Sequence, residues 1–208
     1  ILAFFFITHL ISPKNLEVSF LDIGQGDAIL IETPEGHDIL IDGGPSDKVL
    51  EKLSKKMNYF DRHLDVVVST HPDADHVTGL LPVLKKYEVS TIITSPSISE
   101  TGIFDLVQNS IKGEGASVHV GKKGDVVNFG DGVMMYVLYP KNGNRNTHTD
   151  TNSSSVSVLL MYGNQSVLLT GDLPSEYEGF LLQEILPKGV TIYKAGHHGS
   201  KYSSGNQL

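Results

Sequence analysis

Residues 65–76 read Asp65-Val66-Val67-Val68-Ser69-Thr70-His71-Pro72-Asp73-Ala74-Asp75-His76. The first six are an apolar, β-branched run that fits a buried strand. That strand leads straight into a loop where four potential metal ligands, His71, Asp73, Asp75 and His76, fall within six residues. Imidazole nitrogens and carboxylate oxygens both bind divalent cations, and a tight loop at a strand end can aim alternate side chains at one centre. The competing reading is a solvated acidic turn with two surface histidines. Two comparable sites argue against it: Leu168-Leu169-Thr170-Gly171-Asp172, and Ala195-Gly196-His197-His198-Gly199-Ser200, each at the end of an apolar run. A lone strand-end aspartate is usually a turn or cap, and a lone histidine pair usually lies on the surface. Three such sites in one chain form a set.

Outward from this loop, short β-rich runs alternate with helical periodicity. Strands are expected at 16–23, 27–33 and 37–42 as an antiparallel meander, then at 65–70, 91–94, 117–120, 133–139, 156–162, 166–170 and 191–195. Helices are expected at about 48–59, 77–87, 103–112 and 176–186. The polar stretch 141–155 (KNGNRNTHTDTNSSS) reads as a loop at a functional edge. Interleaved strands and helices over 208 residues, 39% hydrophobic with 21 glycines, fit one large α/β domain.

Composition narrows the chemistry. The chain has no cysteine, which excludes disulfide frameworks, thiolate metal sites and a cysteine nucleophile. Any metal site must use His, Asp and Glu. Sixteen Lys+Arg against 24 Asp+Glu give a net charge of −8, which argues against a broad basic surface for nucleic acid. The apolar run at 1–11 (ILAFFFITHLI) is too short for a span, which needs about 20 residues. Followed by Ser12-Pro13-Lys14, it reads as the tail of a longer membrane helix, with a signal-sequence fragment or a buried strand as alternatives.

The set of ligand sites resembles the metallo-β-lactamase superfamily. His71-Pro72-Asp73-Ala74-Asp75-His76 is similar to its His-x-His-x-Asp-His motif, with Asp73 in place of the second histidine. Asp42-Gly43-Gly44 resembles the turn whose aspartate supports a ligand, Asp172 the bridging aspartate, and His197 the last histidine ligand. The wording Phe20-Leu21-Asp22-Ile23-Gly24-Gln25-Gly26-Asp27, with His197-His198-Gly199-Ser200, resembles the C-terminal hydrolase domain of the ComEC/Rec2 competence proteins, which take up DNA through the membrane.

The resemblance implies an α/β fold of the αββα four-layer sandwich type over 16–208, incomplete at its C-terminal end, preceded at 1–15 by the end of a membrane or signal segment and a linker. It implies two divalent metal ions, manganese or zinc. One would be held by His71, Asp73 and Asp172, the other by Asp75, His76, Asp172 and His197. Asp75, Asp172 and His198 are the expected catalytic residues, His198 as a donor to a phosphate or leaving oxygen. Asp27 and Asp42 read as turn or supporting residues. The family's middle histidine has no obvious counterpart: Asn152 and Ser154 stand in that region, with His148 upstream.

The implied activity is hydrolysis of DNA phosphodiesters during uptake at a bacterial cell membrane, with the domain on the extracytoplasmic side. The expected partners are DNA, single-stranded or being converted to it, and the membrane through preceding helices. Two cations add +4 locally and offset part of the negative charge. The alternatives are a small-molecule lactonase or phosphodiesterase of the same fold, and a noncatalytic DNA-guiding module.

Overall fold

The computed structural model describes residues 15–144, 150–185 and 189–205. The apolar run at 1–11 and His148 lie outside the described residues. Among the described residues no helix is long and apolar enough to cross a membrane.

Strands β1 (Glu17–Phe20), β2 (Ile29–Glu32) and β3 (Asp38–Ile41) form the expected antiparallel meander. Helix α1 (Lys48–Lys56) then crosses over to β4 (His63–Ser69), which pairs parallel with β3. Strands β5 (Glu88–Thr94) and β6 (Ser117–Val120), joined by helix α4 (Gly102–Glu114), extend the sheet in parallel to the order β1-β2-β3-β4-β5-β6. The second sheet runs β11-β10-β9-β8-β7, built from β7 (Val126–Asn128), β8 (Val133–Tyr139), β9 (Ser157–Tyr162), β10 (Gln165–Leu169) and β11 (Ile192–Lys194). Helix α5 (Ser175–Ile185) joins β10 to β11, which pair in parallel.

The side-chain alternation of the strands builds the layers. Leu30, Leu40, Leu64 and Val67 point to the helix side of the first sheet and pack with Val49 and Leu53 of α1 and Val107 and Ile111 of α4. Their neighbours Ile29, Ile31, Ile39, Ile41, Val66 and Val68 face the other way, against Met135, Val158, Leu160, Val167 and Leu169 of the second sheet. On that sheet's far face, Leu159 and Leu168 meet Leu181 and Ile185 of α5. The result is the expected helix, sheet, sheet, helix order. Burial on both faces explains why Val66-Val67-Val68 is continuously apolar rather than alternating.

Three local expectations change. Strand β7 was not foreseen; three residues with an exposed–intermediate–exposed pattern carry no periodic signal. The helix expected at 48–59 ends at Lys56, where the Met57 backbone turns extended. The helix expected at 77–87 begins earlier and divides into α2 (Ala74–Val77) and α3 (Leu80–Lys86). At the division the Gly79 amide donates to Gly44 O at 2.9 Å instead of to the helix ladder, and Pro82 has no N–H to offer. A Cβ on Gly79 would lie 1.9 Å from Gly43 O, so only glycine lets this helix start press against the 42–44 turn.

Candidate metal centre

The three ligand-bearing segments meet where β4, β10 and β11 end. His71 and His76 are fully buried and Asp172 nearly so. Asp42 organises the histidines from below. It is fully buried and accepts hydrogen bonds from the Thr70 amide (2.8 Å), the Thr70 hydroxyl (2.6 Å) and His76 Nδ1 (2.9 Å). Because the Thr70 hydroxyl donates to Asp42, its oxygen is left to accept from His71 Nδ1 at 3.0 Å. Both rings thus spend Nδ1–H on this support and turn Nε2 toward the cavity. Asp42 itself has φ +57, a conformation uncommon outside glycine, which suits a residue forced into one orientation.

Asp172 is the common neighbour. Its Oδ2 lies 3.3 Å from His76 Nε2, 3.3 Å from His198 Nε2 and 4.0 Å from His71 Nε2. On one side, His198 Nε2 is 3.5 Å from Asp75 Oδ2 and His198 Nδ1 is 3.8 Å from Asp27 Oδ1. On the other, His71 Nε2 is 3.8 Å from Asp73 Oδ2, and Asp73 Oδ1 accepts from Thr151 Oγ1.

Of the two adjacent histidines, the structure brings His198 to this centre; ligand atoms of Asp27, His76, Asp172 and His198 all lie within 4.8 Å of one another. His197 belongs to no such group among the described residues and instead lines a neighbouring cleft. Both residues have left-handed backbone, φ +45 and +53, and this strained turn aims the second ring inward. The turn is held from behind. The His197 amide donates to Gly171 O, Ser203 Oγ to Gly196 O, and the buried Glu178 carboxylate accepts the amides of Ser204 and Gly205, both at 2.7 Å.

Asp75 lies in the short helix α2 rather than on an open loop, with its side chain 35% exposed. The β1–β2 loop lies against it: a Cβ on Gly26, which has φ +96, would sit 1.8 Å from Asp75 O. That contact carries the adjacent Asp27 into the site, where Lys194 Nζ pairs with its carboxylate at 2.5 Å. Lys194 and Thr151 join the site without a sequence signature: a lone strand-end lysine and a threonine in a polar loop acquire a role only where the fold places them. No imidazole takes the middle-histidine position among the described residues; Asn152 and Ser154 lie in a short helical turn there.

The donors fit divalent cations. His71 Nε2 and Asp172 Oδ1 are buried with no hydrogen-bond partner among the described residues. Such groups are costly to leave unsatisfied, and an imidazole nitrogen and a carboxylate oxygen are both atoms that can bind a divalent cation. Ligand atoms about 2.1 Å from a tetrahedral cation stand about 3.4 Å apart, close to the separations found here. Burial, and then the neighbouring His76, pushes His71 down to about 3, so its ring is neutral and offers a lone pair. At His76 burial opposes charge, but hydrogen bonds to Asp172 and Asp42 outweigh it and raise its pKa well above the ordinary value. Burial also works on Asp172, and the contacts with His76 overcome it, holding the carboxyl well below the usual range.

The model of the metallo-β-lactamase superfamily matches residues 21–208. The chain belongs to that superfamily. Within it, the chain is 28% identical over 209 residues to ComE operon protein 3 of Bacillus subtilis, covering 92% of this chain and 26% of that protein. It is 29% identical over 202 residues to Recombination protein 2 of Haemophilus influenzae, covering 95% of this chain and 23% of that protein. The chain therefore spans about a quarter of these relatives' length. Among solved structures, a HARLDQ-motif mutant of a metallo-β-lactamase from Cronobacter sakazakii shares the fold with a TM-score of 0.54 at 13% identity, over 88% of this chain and 77% of that one. The CmlA β-hydroxylase of Streptomyces venezuelae, as a point mutant, gives 0.50 at 15% identity over 78% and 31%. As a metallo-β-lactamase-fold hydrolase, the chain presents its His/Asp cluster at the strand ends where this fold carries divalent metals.

Proposed function

We propose that the chain is a dinuclear-metal phosphodiesterase acting on DNA within a membrane DNA-uptake protein. The observation that carries this reading is the convergence of two donor groups on one carboxylate, Asp172. In this reading His71, Asp73 and Asp172 hold one cation, and Asp75, His76, Asp172 and His198 hold the other. His198 then occupies the ligand position that the resemblance gives to His197. Two such cations, when bound, supply Lewis acidity to phosphate oxygens and lower the pKa of a shared water.

The protein's own groups do the positioning. Asp42 and Thr70 fix the tautomer and direction of two imidazoles, Thr151 orients Asp73, and Lys194 holds Asp27 beside His198. No serine, threonine or cysteine nucleophile is required. The likeness to the two curated relatives, together with the competence-protein motifs at 20–27 and 197–200, supports DNA as substrate and a membrane setting; the extracytoplasmic side is part of the proposal. A small-molecule hydrolase would use the same donors. Assaying an oligodeoxynucleotide, bis(p-nitrophenyl) phosphate and a simple lactone under the same metal loading separates the two: cleavage of the oligonucleotide supports the proposal, and turnover of the lactone or the small diester with the oligonucleotide left intact overturns it.

A further inference from the structure

Beside the metal centre lies a cleft of about 390 Å³ lined by His197, Asn152, Glu176, Asp150, Lys201 and Tyr202, together with Pro174 and Ser175 at the start of α5. Its size falls within the range of small-molecule sites, roughly 300–1,000 Å³. It is joined to the centre on two sides. Residue 197 precedes the inward-facing His198, with ring centroids 6.1 Å apart, and residue 152 follows Thr151, which hydrogen-bonds Asp73.

Three features define what fits. Asp150 and Glu176 outnumber Lys201, so the cleft repels a second phosphate. Asn152 lines the cleft with a side-chain amide, a group that can both donate to and accept from the edge of a flat polar ligand. Tyr202 is 66% exposed, its backbone fixed where its carbonyl accepts the Ser175 amide at 2.9 Å. A neutral, flat, N–H-bearing group adjoining a phosphate is a nucleobase. An aromatic platform at such a place stacks bases with little regard for sequence.

From this cleft, and resting on the phosphodiesterase reading above, we infer that a nucleobase next to the scissile phosphate of a single strand is held against Tyr202 and hydrogen-bonded by Asn152. Duplex DNA keeps its bases stacked inside and cannot fill the cleft, so the site selects single strands.

The test uses the whole chain loaded with Ca²⁺, which keeps cationic charge under the phosphate, with gels of the same samples confirming that the strands stay uncut. Fluorescence anisotropy at low ionic strength compares a labelled deoxycytidine hexamer with an abasic hexamer of the same backbone. The base-bearing strand is expected to bind about tenfold or more tightly, as one stacked base allows. Tyr202→Ala should erase that ratio and Tyr202→Phe should keep it, with unchanged melting of both variants showing that they fold. Equal binding of the two strands by the native chain, no binding of either, or a ratio untouched in Tyr202→Ala overturns the inference. Diester hydrolysis without base discrimination sinks the cleft and spares the phosphodiesterase; base discrimination without hydrolysis does the reverse.

Discussion

His198 Nε2 lies 3.3 Å from Asp172 Oδ2, the same separation that His76 Nε2 keeps from that oxygen. Two rings 122 residues apart in sequence thus converge on one carboxylate. If they share a cation with it, His198→Ala should lower bound metal from two equivalents to about one, while His197→Ala should keep two. Elemental analysis after dialysis decides this, and the opposite pattern would return the ligand role to His197.

Asp75 faces His198 from helix α2 with its carboxylate side chain 35% exposed. Asp75→Ala should therefore abolish diester hydrolysis while leaving thermal unfolding within a few degrees of the parent, because no cavity forms and no buried partner is stranded. Activity within tenfold of the parent would remove Asp75 from the site.

Ile41 is 2% exposed between the two sheets, one residue before Asp42. Ile41→Ala should cost about 2–5 kcal/mol, as a buried large-to-small change with partial collapse. Urea unfolding measures it. Activity per folded molecule should also fall, since the same strand end carries Asp42.

At the opposite end of β3, Asp38 pairs across the strands with Glu32. Burial, then the nearby charges of Glu32, Asp61 and Asp65, push its carboxyl up to about 7 from the ordinary 3.8. The folded state therefore holds this proton longer than the unfolded chain does. Stability should fall as pH rises from about 4 to about 7, and be fully recovered on the acid side of that window. Asp38→Asn should flatten the dependence and raise the melting temperature at pH 8. An unchanged profile would mean the carboxyl is better solvated than its packing indicates.

The fold was legible because burial on two faces leaves long apolar runs, as in Val66-Val67-Val68, and because the ligand residues follow such runs directly. What was hidden depended on contacts between distant segments. Nothing in Gly79 alone announces a helix that yields its amide to Gly44, and nothing in the pair His197-His198 says which ring turns inward. Both backbones are left-handed, and the choice is made by the packing of Gly196, Ser203 and Glu178 behind them. Asp27 looked like a turn residue for the same reason: its approach depends on Gly26 fitting against Asp75 O.

In the proposed function this metal centre cleaves DNA. In the proposed donor set three carboxylates, Asp73, Asp75 and Asp172, join three imidazoles, and that share of oxygen is expected to favour manganese for turnover even where zinc binds more tightly. The direct measurement is cleavage of end-labelled single- and double-stranded DNA by metal-stripped protein resupplied with Mn²⁺ or Zn²⁺ at equal occupancy, with Asp172→Asn alongside. The account predicts no cleavage without metal, faster cleavage with Mn²⁺ than with Zn²⁺, single strands cut before double, and none by the variant. Intact DNA at full occupancy by either metal, or cleavage that survives Asp172→Asn, contradicts it.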